Sequence, residues 1–308
     1  MTPSVVAIEA AERLGLAVTD PVLVQETNNT VLWLAPHPVI AKVGTHAGSA
    51  ELLVREHDVA SALVALGAPV GRPLAGVGPI RHAATGFVVT LWDRVDHDAD
   101  GEPPGLVVGA SLRSVHEALA LCGVSLPSFR VGLQRARSAL ADDARTPALA
   151  AFDRAFLRDA FDDLLGELDS YSLIDQGLHG EPHDGNRLLT RAGLRWIDFE
   201  AACVGPVEWD LAFLAQDARA QFRDVDPELL RLLETLNSAR TSTWCWIQAR
   251  FPEMRWHAEH HLAVVRARLS TYASQHPSGD RTTAPSSSRR KRSSTAKGRF
   301  PATSTSSR

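Results

Sequence analysis

Hydrophobic residues along the first ninety positions follow two periods. Thr2-Pro3 sets an N-cap with proline at the first helical position, and the stretch to about Leu14 reads as a helix. Residues 22–26 and 31–34 are short β-rich runs joined through Thr27-Asn28-Asn29-Thr30. Asparagine tolerates left-handed turn conformations, so a hairpin is predicted there. Residues 39–43 predict a third strand and residues 87–91 a further one. Between them, residues 49–66 place Leu52, Leu53, Val59, Leu63 and Leu66 near one face of a helix, ended by Gly67-Ala68-Pro69.

The pattern then changes. Residues 112–119, 133–140 and 149–171 read as helices, and so do the stretches around 211–214, 227–236 and 256–272. A hairpin over 187–198, turned at Arg191-Ala192-Gly193, interrupts them. The expectation is an α+β chain with a small β-rich N-terminal lobe (1–92), a larger helical lobe (93–275) and a cleft between them. Residues 276–308 are rich in Ser, Thr, Arg and Pro and nearly free of aliphatics. Such a segment buries too little surface to offset its ordering entropy, so a disordered basic tail is predicted.

Composition narrows the class. With 308 residues, 44% of them hydrophobic, the chain can build a sizeable core. No apolar run approaches the roughly 20 residues that span a bilayer, and Met1-Thr2-Pro3-Ser4 lacks the basic and apolar regions of a signal peptide. Cys122, Cys203 and Cys245 are odd in number and widely spaced, which predicts free thiols and a cytoplasmic location. Residues 277–308 carry +7 of a total net charge of −4, leaving −11 on residues 1–276. An acidic body steers cationic small molecules toward it. Only three of the 32 basic residues are lysines, and Lys42 alone lies outside the tail. A chain that otherwise uses arginine has kept one compact ammonium, on an apolar strand.

Chemistry concentrates between Leu178 and Asp210. Residues 178–186 read LHGEPHDGN, and Asp198 follows Asn186 by twelve positions at the end of an apolar strand. A polar loop that can orient a hydroxyl and hold a metal through an amide, then a carboxylate on a strand end, is the arrangement phosphoryl transfer requires.

His179-Gly180-Glu181-Pro182-His183-Asp184-Gly185-Asn186, Ile197-Asp198-Phe199-Glu200 and Gly205-Pro206-Val207-Glu208-Trp209-Asp210-Leu211-Ala212 together resemble the aminoglycoside phosphotransferase (APH-like) family of small-molecule kinases. The resemblance covers roughly residues 20–275 and implies a protein-kinase-like two-lobe fold. It implies that Lys42 contacts nucleotide phosphates and that Glu56, on the following helix, fixes that lysine, with Glu51 as the competing partner. Asn186 and Asp198 are the implied Mg²⁺ ligands. Asn28 and Asn29 would approach the phosphates from the hairpin, and the backbone near Thr90–Arg94, with Trp92 and Asp93, would meet the base of ATP or GTP. His179 is expected to shape its loop.

Glu181 departs from the family's usual HGD. One added methylene keeps the carboxylate but lengthens its reach, so Glu181 as the working base competes with Asp184 in that role and with a catalytically weak chain. The implied reaction is transfer of a γ-phosphate to a hydroxyl of a small, cationic acceptor. An aminoglycoside or other basic antibiotic, and hence antibiotic resistance, is favoured over choline, a sugar or homoserine; a nucleotide-binding pseudokinase is the other alternative.

Neither a membrane nor a nucleic-acid partner is expected. Arg289-Arg290-Lys291-Arg292 reads as a solvated end of the tail, and His257, His260 and His261 do not form the HExxH order. Candidate acids for binding a cationic acceptor are Asp93, Asp96, Asp98, Glu208, Asp217, Asp224 and Asp226.

Overall fold

A computed structural model describes residues 1–27, 29–46 and 48–275. Its main compact unit is Met1–Arg268; of the second, Leu269–Arg308, only the end of one helix lies among the described residues. Asn28 and the tail fall outside them.

Helix α1 (Pro3–Glu12) starts as expected, with the Thr2 hydroxyl accepting from the Val5 amide. It stops two residues short of Leu14 and packs Val6, Ala7, Ala10 and Ala11 onto a sheet. That sheet contains β1 (Asp20–Glu26), β2 (Asn29–Ala35), β3 (Val39–Gly44), β4 (Ile80–Arg81) and β5 (Val88–Asp93) in the order β1-β2-β3-β5-β4, every pair antiparallel. Lys42 lies in its middle strand, opposite Val31 on one side and Thr90 on the other. Strand β4 has two residues, too few to show a period.

Helix α2 (Ser49–Ala65) buries Leu53, Glu56, Val59, Ala60 and Leu63. Leu66, expected on that face, lies beyond the last turn and is exposed. The surprise on the stripe is Glu56, a carboxylate among aliphatics, and a buried charge there needs a partner.

The helical part comprises α3 (Gly105–Leu119), α4 (Arg130–Ala139), α5 (Ala151–Leu168), α6 (Val207–Leu211), α7 (Gln216–Arg219), α8 (Pro227–Ile247) and α9 (Pro252–Gln275). Its core joins Val59 and Leu63 of α2 to Val108, Leu112 and Val115 of α3 and to Trp196 and Phe199. Trp196 and Phe199 are fully buried, worth about 2–3 kcal/mol each by area. They hold the base of the segment that carries Asp198.

Two short ladders complete the scaffold. Strands β7 (Arg187–Thr190) and β8 (Gly193–Trp196) form the expected hairpin. Strands β6 (Asp175–Leu178) and β9 (Cys203–Pro206) pair antiparallel, Leu178 opposite Cys203. This second ladder brings the segment after Leu178 against the segment before Cys203. Among the described residues, no helix is long and apolar enough to cross a membrane.

Candidate active site

The polar loop is built on Asp210. Its fully buried carboxylate accepts from the backbone N–H of His179 (2.9 Å) and of Gly180 (2.8 Å), and from His116 Nε2 (2.7 Å). Trp209 Nε1 donates to the Gly180 carbonyl at 3.1 Å. Helix α6 therefore fixes both ends of the peptide that precedes Glu181. Gly180 has φ of 91°, and a Cβ there would lie 2.0 Å from the Ala201 carbonyl oxygen. Only glycine meets both conditions. Gly180→Ala is expected to lower stability by at least about 3 kcal/mol, read as a fall in the urea midpoint at unchanged slope.

His179 shapes the loop. Its ring packs between Phe199 and Trp196 (centroids 4.5 and 5.5 Å), Nε2 donates to the Ile197 carbonyl, and Nδ1 faces the Glu181 N–H. That assignment requires the neutral ring. Burial lowers the His179 pKa for the same reason, outweighing Asp210 and Asp198. Burial likewise lowers His261, on α9, from 6.5 to about 4, with His260, His257 and Arg240 adding to the effect.

Both groups bind fewer protons folded than unfolded as pH falls below about 6.5, His261 down to about pH 4. Their stabilisation is therefore present above pH 6.5 and lost as pH falls through that window. The melting temperature should drop from pH 7 to pH 5, and His261→Gln should flatten the drop. An equal drop in His261→Gln would contradict the assignment.

Above the loop, four charged groups meet. Lys42 Nζ lies 2.9 Å from Glu56 Oε2, 3.0 Å from Asp198 Oδ1 and 2.5 Å from Glu200 Oε1. Glu51, the rival for Glu56, is exposed at the start of α2. Burial alone would depress the Lys42 ammonium; Glu56, Asp198 and Glu200 together outweigh it and hold its pKa well above the ordinary value. Burial pushes Glu56 up, against the pull of Lys42, and does the same to Glu200. Asp198 goes the other way: burial raises it, but the charge and hydrogen bond of Lys42, with His179 and His183, together lower it by more.

Sequence reasoning assigned Glu200 no role. Its carboxylate also accepts from Asn29 Nδ2 at 2.6 Å, and its carbonyl accepts from Arg55 Nη2 at 2.5 Å. The signal was the second acid of Asp198-Phe199-Glu200, two residues past the expected strand end, in a short turn (Phe199–Ala201) that no hydrophobic period marks.

Asp198 adopts φ 65° and ψ 63°, a left-handed conformation uncommon outside glycine, which asparagine and aspartate tolerate better than other residues. Strain of this kind persists only where surrounding structure enforces it, and it concentrates at functional positions. With 40% of its side chain exposed and Oδ1 on Lys42, its other oxygen stays open to a ligand. Asn186 Nδ2 donates to the Glu181 carbonyl (2.9 Å), which leaves its Oδ1 as the atom able to meet a cation.

Three carboxylates on one ammonium leave two formal negative charges uncompensated, and oxygens of Glu56, Asp198 and Glu200 lie within 4.8 Å of one another. An oxygen-only donor set with excess negative charge fits a hard divalent ion such as Mg²⁺. The residues present are thus compatible with the implied metal.

The remaining expectations fare unevenly. Asp184 is exposed and pairs with Arg187 at 2.9 Å, whereas the Glu181 carboxylate pairs with Arg240 of α8. Trp92 donates to Thr90 Oγ1 and meets His57 edge-on; Asp93 is exposed at the end of β5. The amides of Asp93 and Arg94 donate to the carbonyls of Arg72 and Pro38. Of the acids considered for a cationic acceptor, Glu208 accepts from the Asp226 amide and Asp226 caps α8. Both are structural, because the N-terminus of α8 needs acceptors. Asp96 pairs with Arg94.

Residues 21–268 match the family profile described as the phosphotransferase enzyme family (APH). The chain belongs to that family. Its fold is shared with several solved small-molecule kinases. The GDP and kanamycin complex of APH(2″)-IIIa matches with a TM-score of 0.63 at 15% identity, over 87% of this chain and 98% of that one. Amicoumacin kinase hAmiN, in complex with AMP-PNP, Ca²⁺ and Ami, matches with 0.65 at 12% identity, over 84% and 93%. The choline kinase LicA from Streptococcus pneumoniae matches with 0.62 at 14% identity, over 87% and 98%. No protein of curated function matches the sequence. The chain is therefore a phosphotransferase by family and protein-kinase-like by fold.

Proposed function

We propose that this chain transfers the γ-phosphate of ATP or GTP to a hydroxyl of a small molecule, with Mg²⁺, and that the acceptor is a basic antibiotic of the aminoglycoside type. The observation that carries the reading is the meeting of Lys42, Glu56 and Asp198 at one point, next to a loop that presents Asn186 and Glu181. Lys42 supplies a fixed positive charge to phosphate oxygens, and Glu56 keeps it from swinging away. Asp198 and Asn186 would hold Mg²⁺, which would supply positive charge to offset that of the phosphates. Glu181 accepts the hydrogen bond of the acceptor hydroxyl and orients its oxygen for attack, so no covalent enzyme intermediate is needed.

The division of labour follows the lobes: residues 1–92 hold the nucleotide and residues 93–275 hold the acceptor. Support for a basic acceptor comes from the −11 charge of residues 1–276 and from the kanamycin and amicoumacin named with two structural relatives.

The test is transfer of labelled γ-phosphate from ATP and from GTP to a panel containing kanamycin, other aminoglycosides, choline and sugars. Labelled aminoglycoside supports the reading in full. Labelled choline or sugar alone keeps the kinase and replaces the acceptor with a metabolite. Nucleotide binding with no transfer to any member points to a pseudokinase.

A further inference from the structure

Glu181 and Arg240 each sit on a fixed backbone. The Glu181 side is held by Asp210 on the amides of His179 and Gly180, by Trp209 on the Gly180 carbonyl, and by the tight fit of Gly180 against Ala201. Arg240 lies inside α8, 7% exposed, with Nη2 donating to Asn237 Oδ1 at 3.2 Å. Its guanidinium carbon lies 5.5 Å from the centroid of the Trp209 ring and 5.7 Å from that of Phe213. Cation–π contacts and a buried stem leave such a side chain little freedom. Nη1 donates to Glu181 Oε1 across the gap between them.

We propose that Arg240 is the positioning residue for Glu181: it fixes one carboxylate oxygen and leaves the other for the acceptor hydroxyl. This rests on the kinase reading above and deepens it. The extra methylene at position 181 then has a physical reason. The span between two immobile anchors suits glutamate, and aspartate falls short by one carbon–carbon bond, about 1.5 Å. Glu181 keeps about 30% of its side chain exposed, so its second oxygen can still reach a bound molecule.

The consequence runs against intuition. Restoring the aspartate of the common HGD pattern should harm this chain. The test measures ADP release by the full chain with Mg-ATP, in the presence of kanamycin, of choline, and of neither, water then being the acceptor. Glu181→Asp is expected to lower kcat about 100-fold, with KM for ATP changed less than about threefold, because misplacement near 1 Å carries that cost. Arg240→Met should lower kcat to a similar extent, and Arg240→Lys, which keeps the charge without the planar fork, by about tenfold. The double variant Glu181→Asp/Arg240→Met should be no slower than the worse single one, since both remove the same contact.

A merely structural Arg240 would lower the melting temperature without this split between kcat and KM. Glu181→Asp, on a partly open loop, keeps the test informative should Arg240→Met lose its fold. Positioning is overturned on its own if wild type turns over nucleotide and Glu181→Asp matches it, or if the single losses multiply in the double variant. A wild-type chain that releases neither ADP from Mg-ATP nor GDP from Mg-GTP under any of these conditions overturns the kinase reading, and this proposal with it.

Discussion

Asp198→Asn is expected to reduce phosphoryl transfer by about 1,000-fold, equivalent to about 4 kcal/mol of transition-state stabilisation. Asparagine tolerates the left-handed backbone at this position and keeps an oxygen near Lys42, so the change removes charge with little change of shape. Lys42 retains Glu56 and Glu200 as partners, and the fold should persist. The loss should therefore appear in turnover and in Mg²⁺ dependence, with the thermal transition kept. A variant that holds a tenth or more of wild-type activity would mean that Asp198 does not face the reacting phosphates.

Lys42→Met is expected to fail differently. Turnover should fall about 100- to 1,000-fold, as when one pre-organised electrostatic contact is removed. Stability should fall too, because Glu56, Asp198 and Glu200 are left together without a cation. Stranding a buried charge costs about 3–5 kcal/mol. The pH dependence carries the sign. Burial already raises Glu56 from 4.5 to about 8 with Lys42 present, and the lysine pulls against that rise. Without the lysine the pull is gone, so the folded chain binds more protons than the unfolded one from about pH 4.5 upward. The Glu56 contribution to stability is then present at low pH and lost as pH rises through the raised value. Thermal unfolding of Lys42→Met at pH 6 and pH 8 should show the lower transition at pH 8. A higher transition at pH 8 would contradict the picture of three acids sharing one ammonium.

Much of this was legible in the sequence. A single lysine outside the tail on an apolar strand and HGEPHDGN followed by Asp198 drew attention to the site, and the resemblance to the phosphotransferase family then named Lys42, Glu56, Glu181, Asn186 and Asp198. The structure brings Lys42, Glu56 and Asp198 into direct contact and places Asn186 against the Glu181 backbone.

What escaped was polarity buried for structural reasons. Helix α8 was expected to stop at Leu236 because Asn237-Ser238-Ala239-Arg240 breaks the apolar stripe; in the fold those four residues are buried and the helix runs to Ile247. Arg240, the partner of Glu181, lies in the part that was missed. Strands β6 and β9, Asp-Gln-Gly-Leu and Cys-Val-Gly-Pro, carry no alternation and look like breakers. Their pairing is long-range, and it brings the segments that hold Gly180 and Ala201 together. Glu208 and Asp226 looked like acceptor ligands because free acids and capping acids are the same residues in sequence.

The decisive measurement is calorimetric titration of the full chain with a non-hydrolysable ATP analogue, with and without Mg²⁺, beside Asp198→Asn. Saturable binding that strengthens at least about tenfold with Mg²⁺, and that loses this Mg²⁺ dependence in Asp198→Asn, is the expected result. Binding that ignores Mg²⁺ in wild type, or that keeps its full Mg²⁺ dependence in Asp198→Asn, would contradict a phosphate and metal site built on Lys42 and Asp198.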